Sequence, residues 1–184
     1  MHPRLAAVID YADRARTELI ATVDAVPEPL REARPSEEAW SVAEILEHLM
    51  RVEKGVARLV AMKAAEMQSV GDPPREVADL AELDVSKFAQ MPDRSIKIVA
   101  PERVAPLGEI SAAEALDGLA QTHVNLIEQL HAADGLALST VHHLHPVFGV
   151  LNMYEWVWAT GAHELRHAAQ IREVAEQLSA HGPT

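Results

Sequence analysis

Four stretches of this chain place apolar residues three and four positions apart, and that spacing commits them to helices rather than strands. The first covers roughly Leu5 to Ala25, with Val8, Ala12, Leu19 and Val23 on one face, and stops before Pro27 and Pro29. The second opens at Ser41 and Glu44, spaced as a capping box, and steps through Val42, Ile45, Leu49, Val52, Val56 and Leu59 to about Met67. Ser111 and Glu114 repeat the capping pattern ahead of Leu116, Leu119, His123, Leu126 and Leu130, a segment expected to end near Gly135. Asn152 and Glu155 offer a further N-cap before Met153, Trp156, Thr160, His163, His167, Ile171, Val174 and Leu178.

Four amphipathic helices with a single long connection predict an all-α fold, an antiparallel four-helix bundle, in one domain over residues 1–184. The long connection is 69–110, where Gly71, Pro73, Pro74, Pro92, Pro101, Pro106 and Gly108 interrupt any extended helix. A crossover or lid over the bundle is expected there, with a short helix around Val77 to Phe88 and an extended piece at Ile96 to Val99. The His-rich stretch from Val141 to Gly149 reads as a link, in which His142, His143 and His145 are expected to face solvent or cap.

Composition removes several function classes. The formal charge of −12 comes with scattered Lys and Arg, which argues against nucleic acid and against an anionic membrane surface. The absence of cysteine excludes disulfides, thiolate ligands and a cysteine nucleophile, so any thiol chemistry needs an external thiol. No apolar run approaches the roughly 20 residues of a membrane span, and the N-terminus lacks a basic-then-apolar leader, so a cytoplasmic protein is expected.

Against this background His163 and His167 stand out, because they occupy the inward stripe of the last helix one turn apart. Two imidazoles so placed can bind one ion; the alternative is a pair of core histidines bonded to backbone or water. The run also spells H-E-x-x-H, as in zinc peptidases. Yet position 170 is Gln170 and position 173 is Glu173, so the extended peptidase motif is absent and the match is read as accidental. Glu164 remains a candidate proton-transfer group or an exposed carboxylate. His48, beside the apolar seam of the second helix, is the favoured third ligand, and Glu44 or Glu47 could orient it. His123, on the inward face of the third helix, competes for the ligand role or lines the site as acid or base.

Two motifs carry a resemblance. Trp40, Ser41, Glu44, His48 and Leu49 match a Trp-Ser-x-x-Glu-x-x-x-His-Leu run, while His145, Pro146 and Gly149 precede the His163/His167 pair as His-Pro-x-x-Gly. In order and spacing the chain resembles the DinB/YfiT-like superfamily of metal-dependent proteins. The resemblance implies an up-down-down-up bundle with a long crossover between helices two and three. It also implies a site of His48, His163 and His167 holding a divalent transition metal, zinc or nickel. Members of that superfamily include transferases and isomerases that use mycothiol, bacillithiol or glutathione.

The resulting expectation is a metal-dependent enzyme acting on a small molecule, either a thiol-dependent S-transferase or a hydrolase. The alternative is a non-catalytic, stress-related or ligand-binding bundle with a structural metal or none. The Ala-rich helices also admit a homodimer.

Overall fold

In the computed structural model the protein folds as a helical bundle with one small hairpin. The structure describes residues 1–78, 83–91, 93–95 and 98–181, the last without its side chain. Helix α1 spans Pro3–Asp24, α2 Glu28–Arg31, α3 Val42–Gln68, α4 Ala112–Ala132 and α5 Met153–His181; strands β1 and β2 span His142–His145 and Gly149–Asn152. The long helices fall where the spacing predicts. Their starts are set locally: Ser41 with Glu44 and Ser111 with Glu114 each form a reciprocal capping box. Asn152 and Glu155 likewise bond each other's backbone amide, at 3.0 and 2.8 Å.

Two differences from expectation concern the connections. Proline-flanked residues after α1 wind into the short α2. The His-rich link is an antiparallel hairpin, with His143 opposite Leu151 and Leu144 opposite Val150. Its three-residue turn closes at Gly149, whose φ of +72° suits a residue without a Cβ. In the crossover, the described part of the expected Val77–Phe88 helix contains a single 3₁₀ turn at Ser86–Phe88, residues 79–82 lying outside the described residues. Of the expected extended piece, Ile96 and Lys97 lie outside them too, and Ile98 and Val99 form no strand.

Helix directions follow from who packs on whom. Tyr11 stacks on Trp158, Arg16 bonds Glu164 and Thr22 accepts from Arg172, so α1 and α5 run parallel. The start of α3 packs with the start of α4, and its end with the end of α4, so this pair is parallel as well. The start of α3 also meets Ala168, Ile171 and Val174 near the end of α5, which makes α3 antiparallel to α5. The order is therefore up-down-down-up, and the parallel α3–α4 pair requires the long crossover.

The core is divided. One apolar cluster joins Leu5, Val8 and Ile9 to Val56, Val60, Leu126, Leu130, Met153 and Val157. The other joins Leu19 and Val23 to Val42, Ile45, Leu49, Ala115, Leu119 and Ile171. Each buried Leu, Ile or Val in them contributes about 1.5–3 kcal/mol. Between the clusters along α1, α3, α4 and α5 fall Arg16, Glu53, His123 and Glu164, a polar layer through the middle of the bundle. Among the described residues no helix is long and apolar enough to cross a membrane.

A candidate metal centre between two helices

His48 projects from α3, and His163 and His167 project from adjacent turns of α5. The antiparallel packing of these helices brings the three rings together. His163 Nε2 lies 3.3 Å from His48 Nε2 and 3.1 Å from His167 Nε2. One ligand atom from each histidine falls within 4.8 Å of the others. His48 and His167 are buried at 3% and 6% exposure, while His163 is half-buried.

Hydrogen bonds at the far side of two rings determine which nitrogen carries a proton. His48 Nδ1 donates to the Val104 carbonyl at 2.7 Å, so its Nε2 presents a lone pair. His167 Nδ1 meets Gln170 Oε1 at 2.8 Å. Arg94, which can only donate, reaches the same Oε1 at 3.3 Å, so that oxygen is the acceptor and His167 Nε2 is again a lone pair. His163 faces two acceptors with one Nε2, and its Nδ1 is buried without any partner among the described residues. Either tautomer of His163 leaves a nitrogen unsatisfied. A cation shared by the three Nε2 atoms removes the clash of lone pairs there, with the His163 proton on Nδ1. Tetrahedral ligation at 2.0–2.1 Å separates ligand nitrogens by roughly 3.3 Å, close to the observed spacing, so the residues fit a divalent ion.

Electrostatics keep these rings neutral and therefore able to ligate. Burial, then the neighbouring His48, His145 and Arg166, lower the pKa of His163 to about 3. Burial also holds His167 well below its usual value, assisted by His163 and His48. For His48, burial again dominates and outweighs the Val104 bond.

The surrounding carboxylates serve other ends. Glu44 completes its capping box and pairs with Arg34. Glu47 accepts the amides of Leu107 and Gly108 at 3.0 and 2.9 Å, fastening the crossover next to the Val104 carbonyl that orients His48. In place of the expected carboxylates, a backbone carbonyl and an amide hold the rings. On the other flank, Arg166 bonds the carbonyls of Met91 and Asp93, and Arg94 pairs with Glu173 at 3.0 Å, laying the crossover along α5. The ring of Trp40 lies 5.1 Å from that of His48 and 6.5 Å from that of His167, a wall beside the triad.

Glu164 and His123 belong to the polar layer. Arg16 donates to Glu164 at 2.5 Å, to Glu53 at 3.0 Å and to the Leu119 carbonyl at 3.0 Å. His123 bridges Glu53 at 3.0 Å and Asp13 at 2.8 Å. Burial pushes the Glu53 pKa up, but bonds from His123, Arg16 and Thr122 together bring it below its usual value. Burial lowers His123, and Glu53 with Asp13 more than reverse this, so its pKa is raised. Burial raises Glu164 despite its bonds to Arg16. Sequence reasoning passed over Arg16 and Glu53. The available signal was a charge at a position where the apolar stripe of its helix calls for a hydrophobe, four after Ala12 and four after Leu49.

A four-helix bundle in up-down-down-up order, with a histidine triad bridging its second and last long helices, defines the class. The chain belongs to the DinB superfamily, whose family model matches residues 11–171. It is 28% identical over 151 residues to the uncharacterized protein YuaE of Bacillus subtilis (strain 168), covering 79% of this chain and 83% of that one. In structure it is similar to TT2238, a four-helix bundle protein, with a TM-score of 0.58 and 19% identity over 92% of this chain and 98% of that chain. That likeness concerns the fold alone.

Proposed function

We propose that the protein is a metal-dependent enzyme for a small-molecule substrate, with His48, His163 and His167 as the ligands of one divalent transition ion. One observation carries the reading: three imidazoles, two buried and one half-buried, turn Nε2 toward one another while two of them give their only proton to an outside acceptor. Such an ion, when bound, supplies a Lewis acid that polarises an oxygen or sulfur donor. The chain's own residues do the rest. Val104 and Gln170 fix the tautomers of His48 and His167, Arg94 holds the Gln170 amide, and Trp40 screens one side from water. Histidine ligands suit zinc and nickel alike.

Both transfer from an external low-molecular-weight thiol and hydrolysis are compatible with this donor set. The lack of any cysteine favours the first, since no protein thiol competes for the ion. Glu164 and His123 are already engaged in the Arg16 cluster, and we assign the reacting proton to neither.

Elemental analysis after zinc or nickel loading tests the ligands. His48→Ala, His163→Ala and His167→Ala are each expected to lower bound metal sharply, and full retention in all three would sink the assignment. Incubating the loaded protein with glutathione, bacillithiol or mycothiol and an electrophile, against ester hydrolysis without thiol, separates transferase from hydrolase. No turnover in either assay, with metal required for thermal stability, would favour a structural ion.

A further inference from the structure

Of the two roles expected for His145, facing solvent or capping, the structure shows the second: at the end of β1 its Nδ1 accepts turn amides and its ring is half-buried. It packs on Trp156 with centroids 4.5 Å apart and on Phe148 at 5.1 Å. Trp156 lies on the same face of α5 as Thr160, His163 and His167, by steps of four, three and four residues. The hairpin thus lays His145 over the stripe that carries two of the triad histidines. The ring is near enough to His163 to weigh against protonation there.

Its hydrogen bonds fix its chemistry. Nδ1 accepts the backbone N–H of Val147 at 3.1 Å and of Phe148 at 3.3 Å, so in the neutral ring the proton sits on Nε2. Among the described residues Nε2 has no hydrogen-bond partner, and it is not sealed away, since His163 Nδ1 is the one buried side-chain nitrogen or oxygen there without a partner. Burial lowers the His145 pKa to about 4, so the ring stays a neutral donor through ordinary pH. The bulk of the residue is spent on packing and its proximal nitrogen on the turn. Its distal N–H is uncommitted.

We infer that His145 is a substrate-contacting donor of this site, presenting Nε2–H to an anionic oxygen or nitrogen acceptor on the ligand bound beside His48, His163 and His167. The inference rests on the metal reading above and narrows the ligand class to one with a hydrogen-bond acceptor next to the atom that meets the ion. Trp156 sets the height of the ring, and the Val147 and Phe148 amides set its tautomer.

The test uses the full chain loaded with cobalt(II) and titrated with sodium azide, followed by visible absorption. His145→Asn keeps an acceptor for the turn amides but loses the distal N–H. It is expected to bind the same amount of cobalt and to take azide roughly tenfold more weakly, as for a lost hydrogen bond to a charged group. His145→Gln, which can return an N–H to the Nε2 position, is expected to recover part of that loss. Unchanged azide affinity in His145→Asn overturns the inference, as does loss of cobalt from that variant or an absent azide response in the unmutated protein. Long-range ¹H–¹⁵N NMR of the unmutated protein should show the His145 proton on Nε2, and a proton on Nδ1 overturns it without any variant. If the unmutated protein takes up no cobalt, the metal reading itself fails, a result distinct from all of these.

Discussion

The Arg16 cluster and the histidine triad are buried in the same bundle, and both draw on α3 and α5. In the first, Arg16, Glu53, Glu164, His123, Thr122 and Asp13 exchange donors and acceptors until each buried atom has a partner. In the second, nitrogen lone pairs face one another and a ring nitrogen is left over. Buried polar groups are ordinarily satisfied, so a cluster closed on itself is part of the scaffold, whereas one that is not closed calls for something from outside. Burial alone would not have distinguished them.

The largest expected effect breaks the closed cluster. Arg16→Met removes the cation shared by Glu53 and Glu164 and should destabilise the fold by about 3–5 kcal/mol in urea unfolding, since it strands buried carboxylates. A loss under 1 kcal/mol would show that the layer is not the clamp described. Next comes the support of the triad. Gln170→Leu removes the acceptor of the His167 Nδ1 proton and should weaken metal binding by about 10–100-fold in a chelator competition. Smaller again is the effect of His163→Leu on stability. With chelator present, replacing an imidazole whose Nδ1 lacks a partner should stabilise the protein by about 1 kcal/mol while abolishing metal uptake. A destabilisation comparable to that of Arg16→Met would erase the contrast between the clusters.

The smallest expected effect concerns pH. His123 has a raised folded-state pKa, so its contribution is complete below the unfolded value of about 6.5 and is lost as pH rises through the folded value. Glu53 has a lowered one, so its contribution is present above about 4.3 and is lost as pH falls through the folded value. Melting temperature should therefore decline as pH rises above about 6.5, and His123→Gln should flatten that limb. An unchanged limb in the variant would remove His123 from the account.

Much of this molecule was legible in its sequence because the relevant forces are local or periodic. The capping boxes at Ser41 and Ser111 need residues three apart, and the inward placing of His163 and His167 follows from helical spacing alone. His48 was readable as a neighbour of the seam, but the Val104 carbonyl that orients it and the Gln170 amide that orients His167 were not, since neither has a side-chain signature for that role. The hairpin escaped because its strands are only four residues long, the first made of three histidines and a leucine, and show no useful alternation. The Arg16 layer was written as interruptions in three apolar stripes, but which charge meets which depends on the axial register of four helices. Val52, placed on the stripe, is half-buried, while its neighbour Glu53 takes the inward position.

Helix α3 is 27 residues long, about 40 Å at 1.5 Å per residue, and a parallel neighbour obliges the chain to travel that distance back before α4 begins. An extended chain covers it in roughly twelve residues. The stretch between Gln68 and Ala112 is several times longer, and parts of its surplus lie along α5 at Met91, Asp93 and Arg94 and against the start of α3 at Val104 to Gly108. The return path must pass the histidines, and its slack can be recut without unthreading the bundle. The rim of the site and the scaffold beneath it are thus free to change at different rates.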